Sequence, residues 1–218
     1  MFRWGLYSLR NLWARRVTTA LTVVGLGLVV FVLLAVLMLA HGLEQTLGKT
    51  GDPENVIILR KGALSEIGSS LSREEIRAVA AQPDVRLTAD GRPLAVAEVG
   101  LQLTLRKGQG GSLTSVTLRG TAPKALAVRP AILLIQGRLW KPGTTEIVVG
   151  ASIARQFPDA RVDRVLHFGN WAWTVVGVFE AGGSGFDSEV WGDAEQFLAT
   201  FHRTTFSSLT LRLAQPAT

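Results

Sequence analysis

The chain has 218 residues, 47% of them hydrophobic and 18% charged. That length holds one ordinary domain with an appendage and excludes two large domains, and the apolar share excludes a disordered chain. The net charge is +6 and cysteine is absent, which excludes a disulfide framework and any cysteine-based metal or redox site.

Residues 1–16 contain "FRWGLYSLRNLWARR", with Phe2, Leu6, Leu9 and Trp13 at helical intervals. Arg3, Arg10, Arg15 and Arg16 lie largely between them, and Trp4, Tyr7 and Trp13 are interleaved. This pattern predicts an amphipathic helix lying in a headgroup layer, with Trp4, Trp13 and the four arginines at the lipid interface.

Residues 17–40, "VTTALTVVGLGLVVFVLLAVLMLA", contain no charge and no proline. A helix rises about 1.5 Å per residue, so this run exceeds the roughly 30 Å of a hydrocarbon core. A secretory leader has a shorter apolar core of about 7–15 residues ending in small side chains. Here the run ends Met38-Leu39-Ala40-His41, which predicts an uncleaved anchor. The basic flank precedes the span and no acid appears before Glu44, so the N-terminus is expected in the cytoplasm and the rest outside. Setting those four arginines aside leaves 19 basic residues against 17 acidic ones, nearly neutral. The charge therefore belongs to the anchor and gives no case for nucleic acid as a partner. Within the span, Thr18, Thr22 and Gly25 share one face, where small residues permit close approach of another helix.

A polar linker is expected over 41–54 and a compact extracytoplasmic domain over 55–218. "NVIIL" reads as a buried strand, and Ser72-Arg73-Glu74-Glu75 as a capping box opening a helix that buries Ile76, Val79 and Ala80. Strands follow over 94–106 and 112–119, joined by the glycine-rich turn "KGQGG". "TEIVVG" is a strand leading into the short helix "ASIARQF". "WAWTVVGVF" is apolar on both faces and predicts a central strand. A helix from Asp193 to His202 and a strand "SSLTLRL" complete the pattern. The fold class is α+β: one N-terminal transmembrane helix followed by a mixed α/β domain.

Chemistry-bearing candidates fail on spacing. "GKT" at 48–50 lacks the phosphate-loop glycine, because Leu43 stands in its place and Gly42 misses by one. "GGSGF" has Phe186 where a nucleophile elbow needs glycine, and no helix is expected after it. His41, His167 and His202 share no metal or triad spacing. "FEAGGSGFDSEVWGD", residues 179–193, gathers Glu180, Asp187, Glu189 and Asp193. Read as a calcium loop from Asp187, it places Gly192 correctly but Trp191 and Leu198 at ligand positions. If 187–191 is extended, Asp187 and Glu189 share one solvated face. Asp193 then caps the next helix, and Gly182, Gly183 and Gly185 form a turn. No catalytic residue, cofactor or metal site is expected.

The order of these segments resembles the N-terminal half of the MacB/FtsX-type permeases of ABC transporters. "SLRNLWARRVTTALTVVGLGLVV" is similar to their first span, and three later blocks to their outside domain: "VTLRGTAPKALAVRP", "QGRLWKPGTTEIVVGASIARQF" and "WTVVGVFEAGGSGFDSEVWGD". The matching positions include Gly137-Arg138, Glu146 to Gly150, Val175 to Val178, and the loop Gly182, Gly183, Gly185, Asp187, Glu189, Trp191 and Asp193. One departure is "PDARVDRV", which lacks the glycine such permeases commonly place in that turn. The family also continues into three further spans beyond the point where this sequence stops, so a truncation, a gene fragment and a stand-alone remnant are all expectations.

The resemblance implies a permease subunit in a bacterial cytoplasmic membrane, paired as a homo- or heterodimer in lipid. It also implies a separate cytoplasmic ATPase as the partner that hydrolyses ATP, and an extracytoplasmic adaptor. Two other classes stay open on the residues alone: an anchored binding or sensing protein, and an anchored hydrolase using the acids at 180–193.

Overall fold

The computed structural model describes residues 16–48, 54–108 and 111–215. Arg3, Trp4, Arg10, Trp13 and Arg15 of the expected interfacial helix lie outside the described residues, as does part of the "KGQGG" turn.

Two units are present, divided between Leu47 and Gly48. Among the described residues, the first is a long helix, α1, Arg16–Gly48, up to Leu47. Over the described residues it includes the whole predicted span and continues through the first half of the expected linker. Its stretch Arg16–Gly42 is long and apolar enough to cross a membrane: its most apolar 18 residues have a mean hydropathy of 3.1, and none of them is buried. Every large apolar side chain from Val17 to Leu39 is exposed, as suits a helix whose solvent is lipid. Thr18, Thr22 and Gly25 are exposed too, and the Thr22 hydroxyl donates to the Thr18 carbonyl (2.9 Å), satisfying itself within the helix.

The second unit is built on a nine-stranded mixed sheet. Its strands are β1 (Asn55–Ile58), β2 (Ala95–Arg106), β3 (Leu113–Thr121), β4 (Leu133–Gly137), β5 (Glu146–Gly150), β6 (Val165–Phe168), β7 (Trp171–Glu180), β8 (Glu189–Asp193) and β9 (Ser208–Arg212). They run in the order β1-β9-β2-β3-β8-β5-β7-β4, with β6 beside β7. Its helices are α2 (Arg73–Ala80), α3 (Ala125–Val128), α4 (Ala151–Gln156) and α5 (Ala194–Thr200). Strand β2 belongs to two sheet segments: Ala95–Glu98 pair with β9, and Val99–Arg106 pair with β3.

The capping box forms as expected: Ser72 accepts from the Glu75 amide, and Glu75 accepts from the Ser72 amide. The helix it opens half-buries Ile76, Val79 and Ala80 rather than sinking them: all three lie against the small β1-β9-β2 segment, and Ile76 also reaches the larger core. Strand β1 likewise differs from the buried strand expected: it is a sheet edge paired only with β9, and Ile57 is 50% exposed.

Strand β7 is the central strand expected, pairing with β5, β4 and β6. One face carries a core in which Phe168 stacks on Trp173 (5.1 Å between centroids) and Phe197 meets Trp173 edge-on (4.9 Å). Gly120 and Gly192, partners in the β3–β8 register, make room for Phe197: a Cβ on either comes within 3.1 Å of that ring. The opposite face carries a second core around Trp140, Phe179 and Trp191, and a smaller third core joins Leu71, Val85, Leu209 and Leu211. In "PDARVDRV", Asp163 adopts φ +66°, the left-handed conformation that glycine enters most readily, and its amide donates to the Val175 carbonyl (2.8 Å).

Candidate functional site: a buried ion lattice and the motif loop

A charged side chain within an apolar run is expensive to bury unless paired, and three stand out: Glu98 in "VAEVG", Arg119 in "VTLRG" and Arg129 in "LAVRP". All three are buried, and Glu98 has no exposed surface. Arg129 grips Glu98 through both terminal nitrogens (2.8 and 2.6 Å), and Arg119 Nη1 adds a third contact (3.1 Å). The hydroxyls of Thr121 (2.9 Å) and Thr210 (3.1 Å) donate to the same carboxylate. Arg119 turns its other edge to Glu189 in a fork (2.7 and 2.9 Å), and its Nη1 also reaches Glu66 (3.0 Å). Trp191 Nε1 donates to Glu189 (2.7 Å). The Phe186 ring lies against both guanidiniums, 5.3 Å from Arg119 and 5.1 Å from Arg129.

Burial alone would raise the Glu98 carboxyl, but the positive charges of Arg129 and Arg119 outweigh it, helped by bonds from Arg129 and Thr121. Its pKa is lowered from 4.5 to about 2. Burial alone would lower the pKa of Arg119, but the charges of Glu189 and Glu98 outweigh it and push it up.

The lattice joins distant parts of the chain. Glu98 lies where β2 passes from β9 to β3, Thr210 is on β9, and Arg119 and Thr121 are on β3. Arg129 follows α3, Glu189 begins β8, and Glu66 comes from the loop after β1. It therefore bonds the small β1-β9-β2 segment to the large one.

The motif loop closes on this lattice. Residues Gly185–Ser188 form one 3-10 turn, so a helical turn does follow "GGSG" and the chain is not extended there. The solvated acidic face expected for Asp187 and Glu189 is absent: both are buried, as is Asp193. Asp187 accepts from the amides of Ala181 and Gly183 (both 2.7 Å), bracing a turn in which Gly182 and Gly183 have positive φ. Gly150 lets this turn approach β5, since a Cβ there would overlap the Asp187 carbonyl. Glu189 enters the ion lattice, and Trp191 packs on Phe179 and Phe186. Asp193 caps α5 through the amides of Glu195 (2.8 Å) and Gln196 (3.1 Å), and its second oxygen holds the Gly143 amide (2.9 Å).

Two other motif positions form a smaller clamp. Arg138 forks onto Glu146 (2.7 and 2.6 Å), and these bonds, with one from the Lys141 amide, hold the Glu146 carboxyl at about 2. Gly137 (φ +74°) lies directly over the Val176 carbonyl, where no side chain fits.

Both oxygens of Asp187, Glu189 and Glu98 are engaged by donors. Carboxylates fixed in this way position the backbone and guanidinium groups that they hold. Among the described residues, no three His, Asp or Glu side chains gather to hold a metal ion. Sequence reasoning missed Glu98, Arg119 and Arg129, whose signal was a lone charge within an apolar run.

Comparison with protein families matches residues 19–218 to the MacB-like periplasmic core domain. Among solved structures, the extracellular domain of the noncanonic ABC-type transporter YknZ from Gram-positive bacteria is similar, with TM-score 0.54 and 16% identity over 74% of this chain and 83% of that one. The periplasmic region of MacB from Actinobacillus actinomycetemcomitans gives TM-score 0.56 and 15% identity over 76% and 77%. Comparison with curated proteins gives no match.

Proposed function

The chain belongs to the MacB-like periplasmic core domain family, and from that premise we propose that it is a permease subunit of an ABC transporter. In this reading α1 anchors it in a bacterial cytoplasmic membrane, with the N-terminus inside and residues 55–218 outside. A cytoplasmic ATPase supplies the energy, a second permease copy or paralogue packs beside α1 across Thr18, Thr22 and Gly25, and the outside domain passes movement to a substrate or an extracytoplasmic adaptor. Hydrolysis is assigned to the ATPase and none of it to this chain.

The observation that carries this reading is the ion lattice. A domain that relays force must move as one body, and the buried Glu98–Arg119–Arg129–Glu189 bonds tie two sheet segments that share only strand β2. A merely sensing domain has no such requirement.

The test is affinity purification of the full-length gene product from its own membranes under mild detergent. An ABC ATPase should accompany it in stoichiometric amount, and its ATPase rate should change when Glu98 is replaced. Recovery of the chain without any ATPase would overturn the proposal.

A further inference from the structure

On the face of the sheet that bears the Trp173–Phe197 core, helices α4 and α5 form the covering layer. That layer stops short of the sheet's edge. Beyond α4, strand β4 is the last strand in the order, and it pairs on one side only, with β7. Leu134 turns into the opposite core, while Leu133 and Ile135 are left 62% and 54% exposed. Ile135 forms one wall of a groove of about 480 Å³, whose other wall is α4. Ala154 and Val162 continue its apolar lining, and Arg155 and Arg161 stand along it. Both arginines are exposed, and neither forms an ion pair with a carboxylate among the described residues.

An apolar floor beside a helix, flanked by two unpaired cations, specifies its occupant by chemistry. The layer on this face is helical, so the element that would extend it beside α4 is another helix. Its buried face must be apolar to cover Leu133, Ile135 and Ala154, and its rim must be acidic to meet Arg155 and Arg161. We propose that the β4–α4 groove is a docking surface for an amphipathic helix, acidic along one flank, supplied by another protein of the same compartment. A second copy of this chain fits less well, because its own groove presents the same two arginines and would repel them across a two-fold axis. Addition of a strand to β4 is also disfavoured, since the register shift between Leu134 and Gln136 breaks the regular edge that such pairing needs. This surface stands whether or not the chain is part of a transporter, so its test and the ATPase test fail independently.

The experiment places a photo-crosslinking benzoylphenylalanine at Ile135 in the full-length protein, in its own membranes, and sequences the adduct by mass spectrometry. The expected adduct is a foreign segment with apolar residues at helical spacing and acids on one flank. Because Arg155 and Arg161 are exposed, the double variant Arg155→Glu/Arg161→Glu should fold normally, and adduct yield should fall by roughly tenfold. Replacing the flanking acids of the identified segment with lysine should then restore the yield. The proposal is overturned by an adduct to a second copy, to lipid alone or to a segment without acids. It is equally overturned by a yield that ignores the charge reversal, or by no adduct at all.

Discussion

Glu98 has no exposed surface, and five side-chain bonds from Arg119, Arg129, Thr121 and Thr210 converge on its carboxylate. Replacing it with glutamine keeps the shape and removes the charge, leaving two buried guanidiniums with one counter-ion fewer. Breaking a buried pair in this way typically costs about 3–5 kcal/mol, which denaturant unfolding of Glu98→Gln should register. The pH dependence has a definite sign. The folded carboxyl titrates at about 2 and the ordinary one at 4.5, so its contribution is complete above 4.5 and is lost as pH falls toward 2. The melting temperature of the wild type should therefore decline through that window, and the Glu98→Gln variant should show a shallower decline. Equal acid slopes in the two proteins would count against the lattice.

At the scale of elements, Asp193 does two jobs with one carboxylate, capping α5 and holding the loop before β5 through Gly143. Asp193→Ala should cost about 1–2 kcal/mol, and amide exchange should quicken in α5 and at Gly143 together. A cap is legible in sequence because its partners lie two or three residues on, and so Ser72 and Asp193 could both be read. Strands β2, β3, β5 and β7 are legible too, from their apolar runs. The partners of Glu98 are not, since Arg119 and Arg129 stand 21 and 31 residues away and meet it only once the sheet is assembled. Asp187 and Glu189 mislead for a different reason: alternation presumes an extended chain, and the 3-10 turn Gly185–Ser188 rotates Asp187 back onto its own loop. Strand β1 misleads because an apolar run does not reveal that its outer side is left open at a sheet edge.

At the scale of the domain, the small segment of β1, β9 and the start of β2 has a core of only five buried apolar residues, under α2. A core that small cannot hold a segment folded alone, so its stability must be borrowed through β2 and the ion lattice. A surface ion pair and the buried lattice both reach across from it, and they differ in kind. Arg73 on α2 forks onto Glu195 on α5, but both side chains are about half exposed, at 49% and 56%. Water screens that pair, and Arg73→Ala should cost less than about 1 kcal/mol. The Glu98 lattice is buried and should act as the joint. Hydrogen exchange on the full-length protein separates the two. In the wild type, and in Arg73→Ala, the amides of β9 and β7 should open with similar protection, as parts of one cooperative unit. In Glu98→Gln, β9 should exchange faster by at least tenfold while β7 keeps most of its protection, because the small segment then opens by itself. Uniform loss of protection across both strands would mean that the lattice adds only general stability, and the force-relay role drawn from it would fall.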